Sequence, residues 1–190
     1  MTVDLVVKVG GSLLAFGEQF QPVLDAIGAA AMTRTLLVVP GGGPFADTVR
    51  DVDKRFGLGD DAAHWMAALA MDQYAHLVAT RLVRGVVVVG TREMSVALDA
   101  QRVPVLAPSR WLREADPLPH SWDVTSDSIA AWVAGQVGAK SLVLVKPPGA
   151  ASGVVDAYFS RALPAHVATF VVRADESDAL SSALRDGESI

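Results

Sequence analysis

The sequence predicts an α/β fold: a three-layer α-β-α sandwich on a mostly parallel sheet. Three observations carry this. Short apolar runs rich in Val and Leu alternate with helical patterns along all 190 residues, as in sheets covered on both faces. The chain is 51% hydrophobic but only 6% aromatic, a composition suited to buried parallel strands. Several apolar runs end on lysine or glycine, at the carboxyl edge where open α/β sheets bind ligands.

The length and even texture fit a single domain, residues 1–190, long enough to bury a core. A net charge of −5 gives a nucleic-acid partner no electrostatic support. The chain has no cysteine, which excludes disulfides, thiol catalysis and thiolate metal sites. Asp4 and Lys8 interrupt the first apolar run, unlike a signal peptide. No run approaches the ~20 apolar residues that span a bilayer. A cytoplasmic protein with no membrane partner is expected. The positive mean hydropathy points to apolar surface shared between subunits of a homo-oligomer.

In order, Thr2 to Val9 reads as a buried strand that ends in Lys8-Val9-Gly10-Gly11-Ser12. Glycines there let the backbone approach a ligand and offer it successive N–H groups, while Lys8 adds positive charge. The plainer reading is a tight turn with a surface lysine. Phe20, Val23, Leu24, Ile27 and Ala31 predict a helix over Gln19 to Met32. Thr35 to Val39 is a second strand, followed by Pro40-Gly41-Gly42-Gly43-Pro44 and a helix from about Phe45 to Arg55. Strand, glycine turn and helix thus occur twice in succession.

A long helix follows Gly57-Leu58-Gly59, from Asp60 or Asp61 to about Leu82, with an acidic first turn that suits the helix dipole. Its Asp61 and His64 share a face at i, i+3, with Asp72 two turns beyond His64. Isolated histidines on a helix are more often solvated or hydrogen-bonded than metal ligands, and no metal site is expected. Val86 to Val89 and Val103 to Ala107 are the third and fourth strands, with a short helix after Thr91 between them. Residues 108–122, with Trp111 and Trp122 among several prolines, read as an ordered loop over a site.

Asp123-Val124-Thr125-Ser126-Asp127-Ser128 precedes a helix over Ile129 to Val137. Ser126 or Asp127 could serve as its N-cap, but five polar residues in six exceed what a cap needs. Ser141 to Val145 is the fifth strand and delivers Lys146-Pro147-Pro148-Gly149. Residues 149–153 are small and loop-like. Thr169 to Val172 is a last strand, and a last helix runs from Asp175 to Arg185, stopped at Gly187.

The strand ends therefore offer two lysines, two glycine turns and the carboxylate of Asp127. A nucleophile elbow, a Gly-x-Gly-x-x-Gly fingerprint and a P-loop are all missing. This inventory suits phosphoryl transfer without a covalent enzyme intermediate, where catalysis is positioning and charge neutralisation. Lys8 and Lys146 would oppose the charge of the transferred group, and Asp127 between them would hold both.

Lys8-Val-Gly-Gly-Ser, the Gly41-Gly42-Gly43 turn and Thr-Ser-Asp-Ser before Ile-Ala-Ala resemble the amino acid kinase superfamily in order and spacing over nearly the whole chain. The resemblance implies that fold, ATP with Mg²⁺, and a small-molecule phosphorylated substrate. It implies that Lys8 contacts the transferred phosphoryl group, that Lys146 is the second lysine, and that Asp127 orients both. Gly10, Gly11, Ser12 and Gly149 fall at nucleotide phosphates, and Gly41, Gly42, Gly43 and Thr125 at the acceptor. The strings Ala63-His64-Trp65-Met66-Ala67, Ala70-Met71-Asp72-Gln73-Tyr74 and Ser121 to Ser128 resemble an aspartokinase-like branch that phosphorylates an (aminomethyl)furanyl-methyl phosphate in methanofuran biosynthesis. That branch implies a carboxylate for the substrate ammonium, from Asp61, Asp72 or Asp123, the last favoured. It implies Arg50 and His64 for the acceptor phosphate. Pro148 departs from the aspartate of uridylate kinases, and residues 149–168 are shorter than the nucleotide-holding region of larger relatives. A non-catalytic nucleotide- or oxyanion-binding protein, or a structural subunit of a complex, is the alternative on this fold.

Overall fold

A computed structural model describes residues 3–151 and 153–186. Thr2, Ser152 and Gly187, which the sequence places at a strand start, a loop and a helix stop, lie outside them. The strands are β1 (Leu5–Val9), β2 (Leu36–Pro40), β3 (Gly85–Val88), β4 (Val103–Leu106), β5 (Ser141–Lys146) and β6 (Ala168–Arg173). They form one sheet in the order β3-β4-β2-β1-β5-β6. Every adjacent pair is parallel, where the sequence predicted mostly parallel pairing. The reason is that a crossover segment, helical in whole or in part, follows each of the first five strands, and such crossovers return the chain in the same direction.

The helices are α1 (Gly17–Ala30), α2 (Gly43–Phe56), α3 (Asp60–Arg81), α4 (Thr91–Asp99), α5 (Ser109–Ala115), α6 (Ser126–Gln136), α7 (Phe159–Ala162) and α8 (Ser177–Asp186), with a 3-10 turn over Gly11–Ala15. Two boundaries differ instructively from the sequence reading. α6 begins at Ser126 rather than Ile129, because its first turn is polar and carries no apolar stripe to read. Residues 108–122 are not all loop: α5 lies within them. Its start is held by Asp72, whose carboxylate accepts from Ser109 N (3.0 Å) and from the Ser109 hydroxyl. Leu112 is buried, and Trp111 packs edge-on against Trp132 at 5.2 Å.

Side-chain alternation along the strands sorts the core into two layers. Leu5, Val7 and Val9 meet Phe20, Val23, Leu24 and Ile27 of α1 and Leu180 and Leu184 of α8. Val6 faces the other way, as do Leu142 and Leu144, into a layer with Ile129, Ala130 and Val133 of α6. The same parity assigns Lys8 and Lys146 to the α6 face. The register aligns the strand ends: Val9 stands opposite Pro40 of β2 and Val145 of β5. The two glycine turns and Lys146 therefore leave the sheet side by side. Among the described residues no helix is long and apolar enough to cross a membrane.

Candidate active site

The close approach of the two turns explains most of their glycines. A methyl group on Gly11 would stand 2.1 Å from Gly43 N, and one on Gly41 would stand 2.6 Å from Gly11 N. Gly43 has φ of +56°, a conformation that side chains oppose. Gly10 N–H donates to Val145 O (3.0 Å) and Gly41 N–H to Val9 O (2.8 Å). Those two amides extend the sheet and are unavailable to a ligand. The amides of Gly11, Ser12, Gly42 and Gly43 have no intramolecular acceptor among the described residues. All four residues line one cleft of about 260 Å³, and Gly42 and Gly43 open α2, where free N–H groups and the helix dipole favour an anion.

Lys8, Asp127 and Lys146 line the same cleft. Lys8 and Asp127 are 5% and 4% exposed. Lys8 Nζ lies 2.8 Å from Asp127 Oδ1, and Lys146 Nζ donates to Oδ2 at 2.6 Å. Each carboxylate oxygen thus faces one ammonium. Burial pushes the Lys8 pKa down, and the Lys146 charge adds to that; Asp127 opposes both without cancelling them. Burial would raise Asp127, but the two ammoniums more than offset it and hold the carboxyl below its usual range. The partners differ because one carboxylate serves two cations: Asp127 gains from both, whereas Lys8 shares its directly bonded anion with Lys146 in a dry site.

Of the residues singled out from the sequence, Gly11, Ser12, Gly42, Gly43, Arg50, His64 and Thr125 also line the cleft. Six others do not. Gly10 and Gly41 donate to the strand ladders, as above. Gly149 sits with φ of +74° and open space around its α-carbon. Asp72 is committed to Ser109. Asp61 is exposed and meets His120 Nδ1 at 2.6 Å. Asp123 is exposed, with its carbonyl accepting from Tyr158 N (3.2 Å).

The cleft's own further carboxylates are Asp47 and Asp60. Helical spacing was the signal that could have found them. Gly43, Ala46, Asp47 and Arg50 form one stripe of α2, and Asp60, Ala63, His64, Ala67 and Met71 form one stripe of α3, at i, i+3, i+4 and i+7. Asp61 lies one residue off that stripe, about 100° around the helix. Arg50 Nη1 donates to Asp47 (2.8 Å), and its guanidinium sits 4.8 Å over the Trp122 ring. Trp122 Nε1 in turn donates to Asp53 (2.8 Å). Asp60 has no side-chain partner among the described residues.

Two neighbouring groups left no pattern in the sequence. His120 is bracketed by Asp61 and Asp116 (2.9 Å at Nε2), which raise its pKa. Its ring stacks on His64 at 4.1 Å. Burial, and then the His120 charge, push His64 down. Asp156 accepts from Thr125 and Ser128 at the start of α6. Among the described residues no group of three His, Asp or Glu could hold a metal ion.

A model of the amino acid kinase family matches residues 5–158. Over 142 residues, 73% of the chain, the sequence is 27% identical to the [5-(aminomethyl)furan-3-yl]methyl phosphate kinase of Methanocaldococcus jannaschii. The match spans 63% of that curated relative's length. The whole chain superposes on 97% of the uridylate kinase of Archaeoglobus fulgidus, with a TM-score of 0.73 and 17% identity. It also superposes on 97% of the UMP kinase of Ureaplasma parvum, at 0.68 and 15%. These structures share the fold.

Proposed function

The chain belongs to the amino acid kinase family, and on that premise we propose that it is a small-molecule kinase that transfers the γ-phosphoryl group of ATP to a phosphate monoester. The observation that carries this reading is the buried Lys8–Asp127–Lys146 bridge in a cleft whose turns leave four amides free. Phosphoryl transfer spreads negative charge over the oxygens of the moving group and rewards fixed positive groups around it. Lys8 meets the transferred phosphoryl, Lys146 meets the donor phosphates, and Asp127 keeps the two ammoniums apart and aimed. An acceptor oxygen bonds to the γ-phosphorus as the bridging bond to ADP breaks, and ADP leaves with the electron pair. The acceptor phosphate, with its second pKa near 6, is already ionised at neutral pH, so Asp127 has no proton to take.

The Gly11 and Ser12 amides fit the donor phosphates, and those of Gly42 and Gly43, with Arg50, fit the acceptor phosphate. Mg²⁺, when bound, neutralises phosphate charge. Among the described residues no donor set forms a protein cage for it, so it would be held largely by phosphate oxygens. The unpartnered carboxylate of Asp60 suits an ammonium on the acceptor, with His64 and Trp122 beside a flat ring. This agrees with an aminomethyl-furan phosphate, named for the M. jannaschii relative, as in methanofuran-type one-carbon cofactor biosynthesis.

The test is ADP release from Mg·ATP by the purified chain with [5-(aminomethyl)furan-3-yl]methyl phosphate, UMP and other phosphorylated amines. Turnover is expected to be fastest with the furan phosphate and lost in Lys8→Ala. Normal turnover by Lys8→Ala overturns the reading. So does calorimetric ATP binding without transfer to any acceptor, which would make the chain a binding protein.

A further inference from the structure

Asp156 belongs to the stretch between β5 and α7, outside any helix or strand. Its carboxylate nevertheless collects four donors from one turn. Oδ2 accepts from Thr125 N (2.9 Å), Thr125 Oγ1 (2.7 Å) and Ser128 N (3.0 Å). Oδ1 accepts from the Ser128 hydroxyl. Thr125 is the N-cap residue of α6 and makes no cap bond with its own side chain. Its hydroxyl donates to Asp156 instead, and Asp156 takes the Ser128 amide that an N-cap side chain would ordinarily satisfy. The cap of α6 is therefore supplied from 31 residues away. Tyr158 N to Asp123 O (3.2 Å) makes a second tie between the same two stretches.

Between Thr125 and Ser128 stands Asp127, the carboxylate that bridges the two lysines. We propose that Asp156 is a positioning residue: it fixes the first turn of α6, and with it the Asp127 carboxylate, to the stretch that follows Lys146. A local cap would have stabilised α6 on its own. A distant acid makes the aim of Asp127, and with it the register of the two lysines, depend on Asp156 and Tyr158 holding their place against the start of α6. Asp156 also supplies a second negative charge near the pair, balancing two ammoniums with two carboxylates before any substrate binds. Its field helps keep Lys8 charged against burial.

The kinetic arm of the test rests on the phosphotransfer reading, and a second arm does not. Asp156→Asn keeps the shape and an acceptor oxygen but removes the charge. With the best acceptor, kcat is expected to fall about 100-fold, the cost of a small misplacement of reacting groups, with the acceptor KM unchanged. The alkaline limb of kcat should move to lower pH, which a plain helix cap would not cause. Asp156→Glu, which keeps the charge, should return that limb toward its wild-type position. In parallel, the lysine ammonium resonances of ¹⁵N-labelled protein are followed against pH, Lys8 being identified by its loss in Lys8→Ala. The Lys8 signal is expected to titrate at lower pH in Asp156→Asn. If wild-type protein moves phosphate to no acceptor, the phosphotransfer reading fails alone and the resonance decides. An unchanged kcat and alkaline limb in active protein, or an unchanged Lys8 titration in inactive protein, overturns the role of Asp156.

Discussion

Asp127→Asn removes the carboxylate that directly bridges two ammoniums in a buried site. The distances set the scale. At 2.8 and 2.6 Å each pair is in direct contact, and losing one partner of a buried pair costs about 3–5 kcal/mol because the remaining charge is stranded. Here two charges are stranded. Their mutual repulsion, present in wild type as well, is no longer offset by a shared carboxylate, and Lys8 escapes part of the cost by losing its proton. Its pKa is already lowered by burial, so it is the group that yields. A lysine whose folded pKa lies below its unfolded value destabilises the fold at neutral pH, and that penalty shrinks as pH rises toward about 10.4. Urea unfolding of wild type and Asp127→Asn from pH 6.5 to 9.5 should therefore show a gap of about 3–5 kcal/mol that narrows with rising pH. Adding Lys8→Met to Asp127→Asn should recover much of the loss, in a double-mutant cycle with strong coupling. A gap below about 1 kcal/mol, or one that does not change with pH, would refute the reasoning.

Gly11→Ala should cost about 3 kcal/mol or more, read from the urea midpoint, because its methyl would meet Gly43 backbone at 2.1 Å where nothing can give way. Tyr74 is fully buried with a hydroxyl that has no partner among the described residues, and burial pushes its phenol pKa up. Tyr74→Phe should leave stability unchanged or raise it by up to about 1 kcal/mol, a rise in Tm of roughly 2–4 °C. The His120 pairs with Asp61 and Asp116 raise its folded pKa, so their stabilisation is full below the unfolded value near 6.5 and is lost as pH rises through the folded one. The urea midpoints of wild type and His120→Ala should accordingly differ more at pH 6 than at pH 8.5. An equal difference at both would show that His120 acts by packing alone.

The strands were readable because buried parallel strands are apolar on both faces, and because each lysine or glycine at a strand end interrupts that run. Parity then delivers Lys8 and Lys146 to one face, and the polar string around Asp127 was visible by its density. The acids around the cleft were harder. Asp60 and Asp61 are neighbours of identical chemistry, and only the helical phase set by His64 and Met71 separates them. Asp72 looked like a free carboxylate because its partner, Ser109, is distant in sequence and lies in a segment that reads as loop. Asp156 left no trace for the same reason: a cap is recognised by adjacency, and this one comes from another part of the chain. Gly10 and Gly41 show the opposite error. Glycine in a turn signals close approach of a backbone, but here the approaching backbone is the protein's own.

The placement of β1 between β2 and β5 has a consequence for how the molecule is made. The strand that carries Lys8 can pair with β2 as soon as the first quarter of the chain exists. Its other neighbour, and the carboxylate that answers its charge, are specified more than a hundred residues later. Until they arrive, sealing the α6 side of β1 would bury an uncompensated ammonium, which is strongly unfavourable. The nascent sheet therefore has reason to stay open on that side. In a chain whose hydrophobic runs could otherwise collapse early, burial of Lys8 is compensated only once Asp127 is there to answer its charge.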